Sequence, residues 1–312
     1  MKATLFVLVL LALPLMAEVK FAREADRIDV VIDAKPFSSF YVPPGAPKPY
    51  LHPLRSASGK IVTRRFPMEK VAGEKTDHPH HRGLWFTHGD VNGFDFWMNE
   101  PDYKKGTKGI ITTKEVRAGK DGRKAGTIEA SFEWRSPENK PLLTETRTMV
   151  FHSGAAERII DCDIRLTAID KSVFGDTKEG TFAIRLATEL QEEGNSGRMV
   201  SADGNATEKS VWGTASPWVD YSGVLEGEKL GIAILHHPSS TRHPNYWHAR
   251  AYGLFAANIF GLHDFLRDKT KNGSLTLEPG QSARFRYRVI IHPGDTQTAN
   301  IAERYKEYAA MK

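Results

Sequence analysis

Alternation of apolar and polar residues with a period of two restricts the fold of this chain more than any other feature. Every second residue from Ile160 to Ala168 is apolar, and the residues between them are Asp, Arg or Thr. Similar alternation runs from Ile128 to Trp134 and, with three arginines on the polar side, from Ala283 to Val289. Successive side chains of a strand point to opposite faces, so this pattern predicts antiparallel strands with one face in a core. Weaker patterns predict further strands at 27–33, 39–42, 143–151, 180–190, 229–235, 247–252 and 274–277.

Many strands and few helices predict an all-β fold, specifically a large antiparallel β-sandwich with a C-terminal helix. Ile301, Tyr305 and Tyr308 recur at helical spacing near the end of the chain, which predicts a helix with an aromatic stripe against the body of the protein. The sequence contains no glycine-rich nucleotide-binding motif and no alternation of strands with helices. We therefore predict a single β-sandwich domain over residues 18–312.

The N-terminus predicts export. Lys2 precedes an apolar run over residues 5–15, and Ala17 is a small residue suited to cleavage before Glu18. This pattern is typical of a signal peptide over residues 1–17, so we expect a periplasmic or secreted protein. No later stretch is apolar enough to span a membrane. The lone cysteine, Cys162, lies on an apolar strand face and is predicted to be buried.

The basic character of the chain is local. The formal net charge is +5, and residues 104–124 hold eight basic and two acidic residues. The rest of the chain is therefore close to neutral, and this segment is predicted to be a solvated hairpin or loop, with an acidic glycan or cell surface as the less favoured partner. Aromatic residues do not alternate with its lysines, so nucleic-acid binding is not indicated.

Histidine is the strongest local signal. The chain has 12 histidines, and eight of them fall into two short clusters. The first cluster comprises His78, His80, His81 and His88, and the second comprises His236, His237, His243 and His248. In an extended segment His78 and His80 would point to one side and His81 to the other. Both clusters also hold aromatic and charged residues, a mixture that suits sugar binding and proton transfer near neutral pH.

Three interpretations of the clusters remain open. The histidines act as acids, bases and ligands for a substrate without metal, or they bind zinc or copper together with a carboxylate such as Asp77 or Asp90, or they are buried side chains with a packing role. No HExxH motif is present. Glu145 and Arg147, on an apolar strand face, predict either a structural ion pair or a cleft-lining pair.

Several motifs resemble those of a bacterial family of unknown function that carries the label "methane oxygenase PmoA-like". They are found at 77–85, 89–93, 95–97, 178–180, 211–213, 218–223, 231–234, 237–238, 246–250 and 253–258. The label implies an integral membrane enzyme, which a chain without a spanning stretch after residue 17 does not fit, so we set it aside. The resemblance implies a fold similar to the β-supersandwich of aldose mutarotases, in which His and Glu or Asp surround a sugar on a concave sheet.

Residues and resemblance together lead to one hypothesis, an exported carbohydrate-active enzyme of glycoside hydrolase or related type that works by acid–base catalysis. The alternatives are a zinc- or copper-dependent enzyme or binder and a non-catalytic sugar-binding module. No cofactor is expected under the first hypothesis. The predicted catalytic residues are His78, His80, His81, His88, Glu179, Asp220 and His248. The predicted substrate-binding residues are Arg82, Trp85, Asp90, Asn92, Trp97, Arg185, His237, Trp247, Arg250 and Asn258.

Overall fold

Two antiparallel sheets of eight strands each, packed face to face, carry most of the chain. A computed structural model describes residues 18–44, 46–104 and 106–312. The predicted signal peptide over residues 1–17 lies outside these ranges. The predicted all-β sandwich with a C-terminal helix is confirmed.

The first sheet has the strand order β1-β2-β3-β4-β5-β11-β16-β15. Its strands are β1 (Val19–Arg23), β2 (Arg27–Ile32), β3 (Lys35–Tyr41), β4 (Tyr50–His52), β5 (Leu84–His88), β11 (Gly180–Arg185), β15 (Tyr246–Ala249) and β16 (Leu254–Asn258). Distant parts of the chain thus meet at its centre, because β5 pairs with β11 and β11 pairs with β16.

The second sheet has the strand order β12-β13-β14-β18-β9-β8-β7-β6. Its strands are β6 (Ile110–Ala118), β7 (Ala125–Arg135), β8 (Pro141–His152), β9 (Arg158–Ala168), β12 (Arg198–Ser201), β13 (Trp218–Leu225), β14 (Glu228–His236) and β18 (Ser282–Pro293). β10 (Ser172–Phe174) and β17 (Leu275–Leu277) form a separate two-stranded ribbon. The basic segment forms the edge strand β6 and its flanks, apart from Lys105, which the structure does not describe.

The apolar faces of the two sheets meet in one large core. Phe86 of the first sheet lies 5.1 Å from Phe285 of the second between ring centroids, and Phe182 stacks on Tyr287 at 4.3 Å. Cys162 is buried in this core, as its place in the alternating pattern predicts. Strand alternation in the sequence therefore fixes which side chains fill the space between the sheets.

An ion pair is buried in the same core. Arg147 lies 2.6 Å from Glu145, and Nε1 of Trp134 donates to the other carboxylate oxygen of Glu145 at 2.8 Å. The guanidinium of Arg147 also lies 5.3 Å from the ring centre of Phe132. Both side chains are buried, which favours the structural ion pair of the two predicted alternatives.

The helices are short. α1 (Glu208–Val211) and α2 (Leu262–Phe265) are single turns, and α3 (Ile301–Ala309) covers the outer face of the second sheet. Ile301 and Tyr308 of α3 are buried, as the helical spacing predicts. Where the sequence predicts one strand over 180–190, β11 ends at Arg185 and a 3-10 turn, Thr188–Leu190, follows. In the described part of the chain, no helix has the length and apolarity needed to cross a membrane.

Candidate active site

The outer face of the first sheet, which points away from the core, carries the candidate site. Trp85 of β5 pairs with Ala183 of β11, and His248 of β15 pairs with Ala256 of β16. These four side chains point outward because Leu84, Phe86, Trp247 and Ala257 beside them point into the core. Loops that precede and follow the strands cover this face and supply the remaining groups.

Four rings stack across the face. Tyr252 lies 5.3 Å from His78, His78 lies 4.8 Å from His81, and His81 lies 5.2 Å from Trp85, all between ring centroids and nearly parallel. The sequence predicts that His81 points away from His78, but the backbone turns here, with the N–H of His81 donating to the carbonyl of His78. The positive φ of 46° at His78 belongs to this turn.

One carboxylate connects this stack of four rings to two buried arginines. Oδ1 of Asp77 lies 2.5 Å from Nη1 of Arg64 and 3.2 Å from Nη2 of Arg185, and its Oδ2 lies 3.0 Å from Nδ1 of His78. Burial alone would raise the pKa of Asp77, but Arg185 and Arg64 outweigh it and hold that pKa below its ordinary value. Asp77 is thus an anion at neutral pH, and its Oδ2 lies beside Nδ1 of His78, although the two atoms are not aligned for a hydrogen bond.

His80 and His81 are neutral. Burial, aided by nearby positive charges such as Lys48, lowers the pKa of His80 to about 2, and burial also holds the pKa of His81 well below its usual range. Nδ1 of His80 lies 2.9 Å from the Tyr103 hydroxyl, and Nδ1 of His81 accepts from Arg185 at 3.2 Å. The ring proton of His81 is therefore on Nε2.

Glu179 directly precedes β11 and is partly exposed. Burial raises its pKa, although the ammonium of Lys178, 3.5 Å away, acts in the opposite direction. Burial is also the main cause that raises the pKa of the Tyr103 and Tyr252 phenols, and the charges of Asp77 and Glu179 contribute to both shifts. The charges of Asp77 and Glu179 thus both act on the two phenols, which places the four groups in the same region of this face.

A second buried charge group supports the loop that carries Tyr103. Nζ of Lys48 donates to the Trp97 carbonyl at 2.6 Å and to Glu100 at 3.2 Å, while Nε of Arg82 donates to the other oxygen of Glu100 at 2.9 Å. Burial lowers the pKa of Lys48 to about 8, against the charge of Glu100.

Most of the other predicted residues on the first sheet either hold the site in place or lie beneath it. Trp85 and Trp97 are fully buried under the histidines, so neither offers a ring to a sugar. Nδ1 of His248 lies 2.9 Å from the carbonyl of Lys178, and Asn258 donates to the carbonyl of Thr177 at 3.0 Å, so both brace the segment before Glu179. Arg250 lies 2.8 Å from Glu208 and 5.4 Å from the ring centre of Tyr252, at the rim.

Two predicted residues lie inside the molecule. Trp247 points into the core, where its Nε1 donates to the Ser216 carbonyl at 3.0 Å. His88 is packed against Phe260, and its Nε2 lies 2.8 Å from the Gly175 carbonyl. Neither residue reaches the outer face, because the strand pattern directs both side chains inward.

Two more of the predicted site residues lie on the opposite side of the sandwich. Asp220 is buried on the outer face of the second sheet, where it lies 3.0 Å from Nε2 of His292 and accepts from Thr296 at 2.6 Å. His237 lies near α3, with Nε2 3.0 Å from the Met311 carbonyl. The prediction that Asp220 and His237 belong to the site is therefore wrong, and of the two clusters only His78, His80, His81 and His248 lie on the face that carries it.

The predicted ligands Asp90 and Asn92 form a turn. Asp90 accepts from the backbone N–H of Gly93 at 2.8 Å, and Asn92 accepts from the N–H of Val173 at 2.7 Å. They connect the loop after β5 to β10. Sequence reasoning missed Arg64, Tyr103 and Tyr252, which no periodicity marks, because loops bring them to the sheet.

The described residues form no preformed metal site. Among the described residues, no three His, Cys, Asp or Glu side chains are grouped so that they could hold a metal ion. His80 and His81 direct their Nδ1 atoms at Tyr103 and Arg185.

Residues 27–306 match the model of a family of unknown function (DUF6807). The chain belongs to this family. The match does not show the methane oxygenase label, and no curated protein matches the sequence of this DUF6807 chain.

The DUF6807 chain is similar to solved structures of sugar-related proteins. They include the GH36 α-galactosidase AgaA from Geobacillus stearothermophilus (11% identity, 89% of this chain and 40% of that chain, TM-score 0.44) and an α-galactosidase from Lactobacillus brevis (8%, 90% and 40%, 0.41). A galactose mutarotase-like protein from Lactobacillus casei is 9% identical, with 88% of this chain and 100% of that chain covered and a TM-score of 0.40. The chain spans about 40% of the length of the α-galactosidases. Identities and TM-scores of this size say nothing about activity.

Proposed function

We propose that the protein is an exported carbohydrate-active enzyme, of glycoside hydrolase or related type, that works on the outer face of the first sheet. What supports this proposal is that two partly exposed proton-transfer groups, Glu179 and the Asp77–His78 pair, lie in the region of this face where their charges act on both Tyr103 and Tyr252. Acid–base cleavage or isomerisation of a sugar needs one group that donates a proton and one that accepts a proton.

Glu179 is the proposed general acid. Burial raises its pKa, so it keeps its proton to higher pH than an exposed glutamate does. His78 is the proposed general base, because its ring is partly exposed and lies beside the carboxylate of Asp77. Tyr103 and Tyr252 would hold the sugar by hydroxyl contacts and by an exposed ring edge.

The test is turnover of a panel of plant and algal glycans by the wild type and by Glu179→Gln and His78→Asn. We expect each substitution to lower kcat about 100-fold or more while sugar binding persists, since each removes a proton-transfer group. The control, Glu307→Gln on the exposed side of α3, makes the same chemical change far from the site and should leave kcat unchanged.

Three other results would contradict the proposal. Sugar binding without turnover by the wild type would instead support a sugar-binding module. Stoichiometric zinc or copper in untagged protein, with turnover lost to a chelator, would support a metal-dependent enzyme. Full activity in both variants would exclude the assigned acid and base.

The proposed export predicts a mature protein that begins at Glu18. Mass spectrometry of the protein from its native host checks this prediction.

A further inference from the structure

The buried charges beneath the candidate site do not balance. Two carboxylates are shared among four cations, since Asp77 contacts Arg64 and Arg185 while Glu100 contacts Lys48 and Arg82. The side chains of Arg64, Arg185 and Lys48 are fully buried, and that of Arg82 is 22% exposed. Uncompensated buried charge is costly, so this face favours a further negative charge.

Among the described residues, the other carboxyl groups near this face form no ion pair with these four cations. Asp95 contacts backbone N–H groups, and burial raises its pKa. Glu179 lies beside its own cation, Lys178, and Glu208 lies beside Arg250. Lys178 also lies 3.8 Å from Asp264, and Glu74, near Arg64, accepts from the backbone N–H groups of Arg65 and Phe66. These carboxyl groups lessen the excess positive charge without pairing directly with the four buried cations.

The neutral histidines are also suited to binding an anionic group. His81 carries its proton on Nε2 because Nδ1 accepts from Arg185. An imidazole N–H above buried cations donates to an anion without the cost of ionising the ring. Excess positive charge and a fixed imidazole N–H are two observations that both fit an anionic group.

We infer that the sugar bound at this face carries a negatively charged group, with a carboxylate such as that of a hexuronic acid over His80 and His81. This inference rests on the proposed function and narrows its substrate class. A sulfate ester on a sugar presents the same chemistry, so both are included in the test. Neutral sugars of the same configuration lack the acceptor charge and should bind more weakly.

The experiment measures binding of glucuronate, galacturonate, glucose, galactose and galactose 6-sulfate to the mature protein by calorimetry, with tryptophan fluorescence as a second readout. We expect at least one acidic sugar to bind about tenfold or more tightly than its neutral counterpart, which corresponds to one charge-assisted hydrogen bond. Raised salt should reduce this preference and leave neutral-sugar affinity unchanged. Tighter binding of the sulfate than of either uronate would assign the charged group as a sulfate ester.

Arg82→Gln and Arg82→Lys provide the variants, because this side chain is at the edge of the group and its loss leaves Glu100 paired with Lys48. Arg82→Gln should remove most of the preference for the acidic sugar, and Arg82→Lys should retain it. Lys48→Met offers an independent way to remove one charge from the same group. The matched control is Arg117→Gln on the edge strand β6, where the side chain is 69% exposed, and it should change neither affinity.

Equal affinity for acidic and neutral sugars, or an equal loss of both in Arg82→Gln, would overturn the inference. If neutral glycans are bound and turned over in a Glu179-dependent way, the proposed function stands and only the substrate class is wrong. If no sugar of either kind binds, the proposed function fails together with the inference.

Discussion

At the scale of single residues, burial decides which histidines can exchange protons. His80, His81, His88 and His248 are each nearly inaccessible, whereas the side chain of His78 is 40% exposed. The sequence places all five in clusters and cannot rank them, because spacing along a chain carries no information about depth. The structure therefore leaves one candidate proton acceptor among the five histidines, His78, which lies beside the carboxylate of Asp77.

Buried neutral histidines make stability depend on pH. Burial lowers the pKa of His88 to about 4, below the value near 6.5 of an unfolded histidine. Below pH 6.5 the unfolded chain takes up protons that the folded one does not, so the free energy of unfolding falls with pH by about 1.4 kcal/mol per unit for each such group.

We expect denaturant unfolding to show this loss between pH 6 and pH 5. His88→Gln, which keeps a donor for the Gly175 carbonyl, should flatten the slope by about 1.4 kcal/mol per pH unit. An unchanged slope in this variant would mean that His88 is protonated in the folded state.

At the scale of elements, a glycine positions the proposed acid. A Cβ on Gly89 would lie 2.8 Å from Cβ of Glu179 and 3.0 Å from its carbonyl oxygen. Backbone at the end of β5 thus approaches the start of β11 as closely as only a glycine allows, and the N–H of Gly89 donates to the Glu179 carbonyl at 2.7 Å.

Gly89→Ala should displace Glu179 and lower kcat about tenfold or more, since small misplacements of reacting groups are costly. Gly154→Ala is the matched control, because its Cβ would meet nothing closer than 3.7 Å. Kinetics on a substrate of the wild type, with melting curves for both variants, make the comparison. Equal kinetics in both alanine variants would show that the segment absorbs the methyl group without moving Glu179.

The elements themselves were largely predictable, and the site was only partly so. Period-two alternation predicted β7, β9 and β18 and the burial of Cys162, because one face of each strand must enter the core. Asp220 and Trp247 could not be placed, since motifs report which residues lie together in sequence and not which face of which sheet they occupy. Arg64 and Tyr252 gave no signal, because loops carry them.

At the scale of the whole molecule, a charged pair lies where the two sheets meet. Glu145 and Arg147 are both buried, and Arg147 extends from the second sheet to within 5.9 Å of the ring centre of Phe86 in the first. A lone charge left between the sheets has no access to water, so each member of the pair depends on the other.

Arg147→Met alone should therefore cost about 3–5 kcal/mol of unfolding free energy, because it leaves Glu145 buried without its cation. The double variant Glu145→Leu with Arg147→Met should recover most of that loss. Denaturant unfolding at pH 7 measures all three values. Additive losses in the double variant would show that the two charges are not coupled.

The pairing of β5 with β11 also sets an order of events during synthesis. Strands β6 to β9 separate them along the chain and belong to the other sheet, and β16, which completes this part of the first sheet, ends only at Asn258. A nascent chain therefore cannot assemble the face that carries Asp77 and Glu179 until most of its length has been made. Long-range pairing of this kind slows folding, so we expect the catalytic face to be among the last parts of the molecule to form.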